Sequence, residues 1–208
     1  MNYLVLIGDL VASRQAPDRA ELQRKLAATL ASLNRDGRGL VSPYTVTLGD
    51  EFQAVYREAT PIFQHMFAIL GALYPVGVRF AWSIGEITTE INSHSALGMD
   101  GPAFYAARDA ITSLKGRDEV CSIAGLPADR QPLAGAALRV VSHLLGRWKR
   151  SRFLVMEDLL ADRKVQDIAS RLGMSEQAVY KNITNGGLEG LLELFGTLAH
   201  LANMELEA

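Results

Sequence analysis

Asp50 sits in TVTLGDEF (45–52), where two adjacent acids mark the bend between two strand-like runs. A second aspartate, Asp9, closes the apolar run NYLVLIGD near the N-terminus. Carboxylates on neighbouring strands repel unless a cation or a proton lies between them. Oxygen ligands of this kind suit Mg²⁺ or Mn²⁺, held by one or two carboxylates together with a nucleotide's phosphates. Such ions could activate a hydroxyl and stabilise a leaving pyrophosphate. The competing reading is a turn acid and a strand-end acid with no ligand. Glu51 alternates to the opposite face of its strand from Asp50 and is expected to face solvent.

Whether Asp9 and Asp50 meet depends on the elements that carry them. Strands alternate with helices over the first part of the chain. NYLVLIGD is rich in strand formers, and PDRAELQRKLAATLASL (17–33) repeats leucines at helical spacing, with Pro17 suited to a first turn. YTVT and EFQAVY flank the LGD turn as a hairpin. A helix opens at Thr60-Pro61, and VGVRFAWSIGEI is a fourth strand. A helix over 103–115 and a last strand at EVCSIAG follow. The first six elements predict a ferredoxin-like βαββαβ plan with two helices on one face of an antiparallel sheet. In that plan the end of the first strand lies beside the hairpin.

Beyond ADRQPLA the strand signal stops, and the sequence predicts helices near 133–146 and 149–161, then three shorter ones. The expectation is an α+β chain with two domains, 1–127 and 128–208, the second all-α. Within VQDIASRLGMSEQAVYKNITNGG, Ala169, Gly173 and Val179 have the spacing of a helix-turn-helix, with Ser175 as N-cap. Glu176, Gln177, Tyr180, Lys181 and Thr184 would face away from its core, able to reach base edges or phosphate. Arg147, Lys149, Arg150 and Arg152 in RWKRSR would add a positive edge, with Trp148 turned inward. Against this, residues 131–208 hold nine Lys/Arg and nine Asp/Glu. A monomer would bind DNA weakly, so a homodimer on two half-sites is expected. Leu188, Leu191, Leu192, Phe195, Leu198 and Leu201 could form that interface or pack inside their own domain.

Bulk composition narrows the field. The 208 residues are 49% hydrophobic and 21% charged with a net charge of −2, so no global field draws the chain to nucleic acid. Cys121 is the only cysteine, which excludes an intramolecular disulfide and a multi-cysteine zinc site. His65, His94, His143 and His200 lack ligand spacing and are expected to be packing or surface residues. No run is long and apolar enough for a membrane helix, and a cytoplasmic location is the expectation.

GDLVAS (8–13), TLGDEF (47–52) and GPAFYAAR (101–108) resemble the class III nucleotidyl cyclases. The resemblance implies Asp9 and Asp50 as metal ligands and Arg108 as the cation that neutralises transition-state charge. Val46 stands where that family usually has a lysine. Phe104 and Leu97 stand where it has a ribose-binding asparagine and a purine-reading aspartate; aligning on Gly101 gives Tyr105 and Gly98 instead. These departures argue against cyclase activity.

GDLVASR, LGDEFQ, IGEI, GMDGPAFYAAR and IASRLGMSEQAVYKNI together look like the SatD family, which is thought of as regulatory. The leading expectation is therefore a non-catalytic, DNA-binding transcriptional regulator with a degenerate cyclase-like sensor or dimerisation domain and a nucleotide-like ligand. The alternatives are an Mg- or Mn-dependent enzyme on a nucleotide or phosphorylated substrate, and a helical protein-interaction scaffold.

Overall fold

The computed structural model describes residues 1–47, 49–117 and 119–208, and of Arg14 the backbone alone. Leu48, inside the LGD turn, lies outside the described residues. The first strand, β1 (Asn2–Leu10), is apolar on both faces because it runs through the middle of a five-stranded sheet. Helix α1 (Arg19–Asp36) follows, with the Asp18 side chain capping the Glu21 amide and Gly37 closing the far end with φ 66°. The hairpin is β2 (Leu40–Val46) and β3 (Glu51–Tyr56). Next come α2 (Ile62–Leu73), β4 (Val78–Glu86), α3 (Pro102–Lys115) and β5 (Cys121–Ala124). The sheet order is β2-β3-β1-β4-β5; β1 is antiparallel to β3 and β4, and β5 is parallel to β4. The predicted ferredoxin-like order is present, with a fifth strand added beside β4.

Five helices complete the chain: α4 (Gln131–Leu145), α5 (Arg150–Leu160), α6 (Val165–Leu172), α7 (Glu176–Gly186) and α8 (Leu188–Glu207). The last is the longest helix, not one of three short ones. Its leucines repeat at helical spacing straight through the two internal glycines, Gly190 and Gly196, and burial outweighs their helix penalty.

The two sheet faces are covered differently. Leu4, Leu6 and Leu10 of β1 join Phe52, Phe80 and Trp82 under α1 and α2, and the same apolar core continues into α4, α5 and α8. Phe195 of α8 stacks on Phe63 of α2 at 4.4 Å, and Trp148 stacks on Phe67 at 5.8 Å. Leu188, Leu191, Phe195 and Leu198 are thus buried within the chain itself. Helix α2 is enclosed on nearly every side, which is why its sequence is apolar all round. On the opposite face Val5, Ile7, Val55 and Ala81 pack under α3 alone, through Ala103, Ala107, Ile111 and Leu114. That single helix sets the site described below.

Candidate functional site

The site is built from strand alternation and one helix. In β1, Val5, Ile7 and Asp9 point to the α3 side. Asp9 is the cross-strand partner of Glu51 on β3 and of Arg79 on β4. Gly8, between Ile7 and Asp9, has no room for a side chain, since a Cβ there would fall inside the Phe52 ring. The close seating of that ring fixes the backbone immediately before Asp9.

Helix α3 supplies cations from two positions seven residues apart, which face the same way after two turns. Lys115 Nζ lies 2.9 Å from Asp9 Oδ1, and Arg108 Nη1 donates to Glu51 Oε2 at 2.6 Å. Arg79 Nη1 approaches Asp9 Oδ2 at 3.5 Å, and Thr47 Oγ1 donates to Glu51 Oε1 at 3.3 Å. The carboxylates are buried, with side chains 9% and 7% exposed, while Arg108 and Lys115 are 47% and 45% exposed. Two enclosed acids therefore anchor cations whose outer donors face solvent. Three cations face Asp9, Glu51 and the neighbouring Asp50, so the edge is balanced in charge, and its half-exposed Arg108 and Lys115 are the groups that can meet an anion.

Asp50 lies next door in the chain fold but has other partners. Leu10 N donates to Asp50 O at 3.0 Å, which puts the hairpin beside the end of β1 as the sequence predicts. The Asp50 carboxylate accepts from Ser13 Oγ at 2.6 Å, in the short 3-10 turn Ser13–Gln15 that follows β1. The backbones of Asp9 and Asp50 are brought together, and their carboxylates are held by different groups. Among the described residues no group of three or more His, Cys, Asp or Glu side chains converges as a metal centre. The donors present are all oxygens (Asp9, Asp50, Glu51 and the hydroxyls of Ser13 and Thr47), a set whose chemistry fits Mg²⁺ or Mn²⁺ and not a soft metal.

Glu51 corrects an expectation. It is buried, not solvent-facing, because α3 covers the face to which it alternates. Arg108 pairs with this residue, and Asp100 accepts from the Tyr105 hydroxyl at 2.8 Å. Lys115 and Arg79 were not singled out as site residues from the sequence, and Glu51 was read there as solvent-facing. The seven-residue step from Arg108 to Lys115 was a visible signal for one of them. The pairing of Arg79 with Asp9 follows only from the strand register.

In the C-terminal half, α6 and α7 are joined by a tight turn, with Gly173 at φ 62° and Ser175 capping α7. Ser175, Glu176, Gln177, Tyr180, Lys181 and Thr184 are exposed, as their spacing predicts. The basic run is dispersed. Arg147, Lys149 and Arg150 are exposed; Arg150 Nε also donates to Gly71 O at 3.0 Å, and the half-buried Arg152 guanidinium lies 5.7 Å over the Trp148 ring. Arg171 is held by Asp158 at 2.7 Å and Glu157 at 3.8 Å.

An α+β protein with a ferredoxin-like sheet and a charged edge under one helix is the class that fold and site define. The sequence matches the SatD family over residues 3–193, and the chain belongs to that family. No curated protein matches it. Two solved structures similar to it are each described as a bacterial light-regulated adenylyl cyclase. One is 16% identical with a TM-score of 0.45, covering 59% of this chain and 74% of that one. The other is 14% identical with a TM-score of 0.45, covering 59% of this chain and 43% of that one.

The expectation of a DNA-binding transcriptional regulator is overturned. The family match runs through both halves as one stretch, residues 3–193, and nothing in it shows DNA binding or transcription regulation. The physical reason is charge balance: residues 131–208 hold nine Lys/Arg against nine Asp/Glu, and Arg171 is paired with Asp158, so this half carries no net positive charge for a phosphate backbone. Among the described residues no helix is long and apolar enough to cross a membrane.

Proposed function

We propose that the chain is an Mg²⁺- or Mn²⁺-dependent enzyme acting on a nucleotide or another phosphorylated substrate at the Asp9–Glu51 edge of the sheet. The observation that carries this reading is the arrangement of half-exposed Arg108 and Lys115 on buried carboxylates. Each cation is oriented by its acid and keeps donors free for an incoming anion, which is electrostatic preorganisation. The two positions lie roughly 10 Å apart along the helix, so they suit a ligand with more than one anionic group. Asp9 and Asp50 would hold the divalent ion, which supplies charge neutralisation at phosphate when bound.

The chain's own residues do the rest. Arg108 and Lys115 bind and orient phosphate oxygens, Glu51 positions Arg108, and Ser13 fixes the Asp50 carboxylate. A phosphate that draws Lys115 outward frees Asp9, so ion and anion enter together. The proposed chemistry is transfer or hydrolysis at phosphorus, not cyclisation, because Val46, Leu97 and Phe104 lack the polar groups that the cyclase resemblance requires. The test is turnover of a panel of nucleotides and sugar phosphates with Mg²⁺ or Mn²⁺. Activity should fall at least tenfold in Asp50→Ala and Arg108→Ala, and unchanged turnover in both variants would remove this edge from the reaction.

A further inference from the structure

Helix α4 carries two apolar stripes, and only one of them is used inside the chain. Ala134, Leu138, Val141 and Leu145 are buried, on the side where α4 lies along β5. A second stripe runs along the outer flank. Leu133, Ala137, Val140 and Leu144 follow one another in steps of four, three and four. That is the spacing of a helix–helix seam. Ala137 and Leu144 are half-buried, but Leu133 is 75% and Val140 62% exposed. Among the described residues only Met1 is a more exposed large apolar side chain. A surface helix ordinarily shows one apolar stripe, facing its own core.

The second stripe matches itself when reversed. Leu133 and Leu144 are equidistant from the point between Leu138 and Arg139, and so are Ala137 and Val140. An antiparallel second copy of α4, related by a two-fold axis at that point, sets Leu133 against the partner's Leu144 and Ala137 against the partner's Val140. The small Ala137 beside the axis lets the helices approach closely. Charge repeats the symmetry. Asp129 lies just ahead of α4 and Arg147 just after it, both exposed, so the reversed pairing brings an acid against a cation at each end. The neighbouring Arg130 is spent on Glu205 at 3.7 Å, whereas neither Asp129 nor Arg147 has an ion-pair partner among the described residues.

We propose that the outer flank of α4 is the surface on which a second copy of this chain docks, antiparallel about a two-fold axis between Leu138 and Arg139. Such an interface is isologous and closes at two copies. The 15 residues of α4 span about 22 Å. One helix pair of that length stands at the small end of specific interfaces, roughly 1,200 Å² or less in total, so the dimer is reversible with a Kd of about micromolar order. Leu188, Leu191, Phe195 and Leu198 of α8 are taken up inside the chain, and α4 supplies the dimer surface in their place. The proposal does not depend on what the charged edge binds.

The experiment is sedimentation velocity on the full chain over about 1–200 µM, a range that brackets a micromolar Kd. Wild type should pass from monomer to dimer. Val140→Glu puts a charge beside the axis and should stay monomeric throughout, and Leu133→Glu takes its place should that variant fail to fold. Asp129→Arg and Arg147→Asp should each weaken the dimer about tenfold, and the double variant Asp129→Arg/Arg147→Asp should restore it. The same two charges also suit the dipole of their own helix, so restoration by the exchange is the readout that a merely local role would not give. A wild type that stays monomeric over the whole range, a dimer unchanged by Val140→Glu, or a double variant no better than the single ones overturns the proposal.

Discussion

His65 turns acid into a stress on this fold. The imidazole is fully enclosed. Its Nδ1 receives the Tyr56 hydroxyl at 2.9 Å, with the Tyr44 hydroxyl 3.4 Å away, so the proton of the neutral ring sits on Nε2. Nε2 lies 3.8 Å from Asp36 Oδ2. Burial pushes the imidazole down from 6.5 to about 4; Asp36 opposes this and Arg38 adds to it. The folded chain therefore refuses a proton that the unfolded chain accepts between those values. Stability from this group is fully present above about pH 6.5 and is lost as pH falls towards about 4. Two and a half units at about 1.36 kcal/mol each give about 3 kcal/mol. Asp36, held below the ordinary carboxylate range chiefly by its hydrogen bond with Arg38, adds a loss of the same sign at lower pH. The assay is urea unfolding at pH 7.5 and pH 4.5 for wild type and His65→Gln. Other carboxylates titrate in both proteins, so the difference isolates His65. Wild type should lose about 2–3 kcal/mol more than the variant, and parallel losses would refute the reasoning.

Three further outcomes are expected. Asp158, with its side chain 2% exposed, receives Arg163 at 3.0 Å and Arg171 at 2.7 Å and ties α5 to α6. Asp158→Ala leaves two arginines that can still reach water, so the cost should be about 2–3 kcal/mol in urea midpoints, below the value for a fully buried pair. Gly8→Ala forces a methyl into the Phe52 ring and should cost about 1–3 kcal/mol by thermal unfolding. Burial pushes the Cys121 thiol up to about 12, so iodoacetamide at pH 8 should label it only in denaturant, and rapid labelling of native protein would contradict its enclosure.

The sheet was legible in the sequence because its strands are short apolar runs bounded by turn residues. NYLVLIGD and VGVRFAWSIGEI fall on β1 and β4, and the LGD bend joins β2 to β3. The site was half legible. Asp9 is marked by its place near a strand end and Arg108 by the resemblance of GPAFYAAR, but their partners depend on which face a single helix covers. Glu51 was expected to face solvent, and that inference failed because α3 lies over the face to which it points. RWKRSR was legible only as a charged run. That Arg150 Nε meets Gly71 O and Arg152 lies over Trp148 depends on tertiary contacts that its local sequence does not carry.

The most direct test of the charged edge is a thermal-shift series with Mg²⁺ or Mn²⁺ plus nucleotides and sugar phosphates, on wild type and Asp9→Asn/Asp50→Asn. A ligand at about 100 times its Kd adds about 2.7 kcal/mol, which for a chain of this size is a rise of roughly 5–10 °C. The account predicts such a rise in wild type, dependent on the divalent ion and lost in the double variant. No rise in wild type with any of these ligands, or an equal rise in the variant, would contradict it.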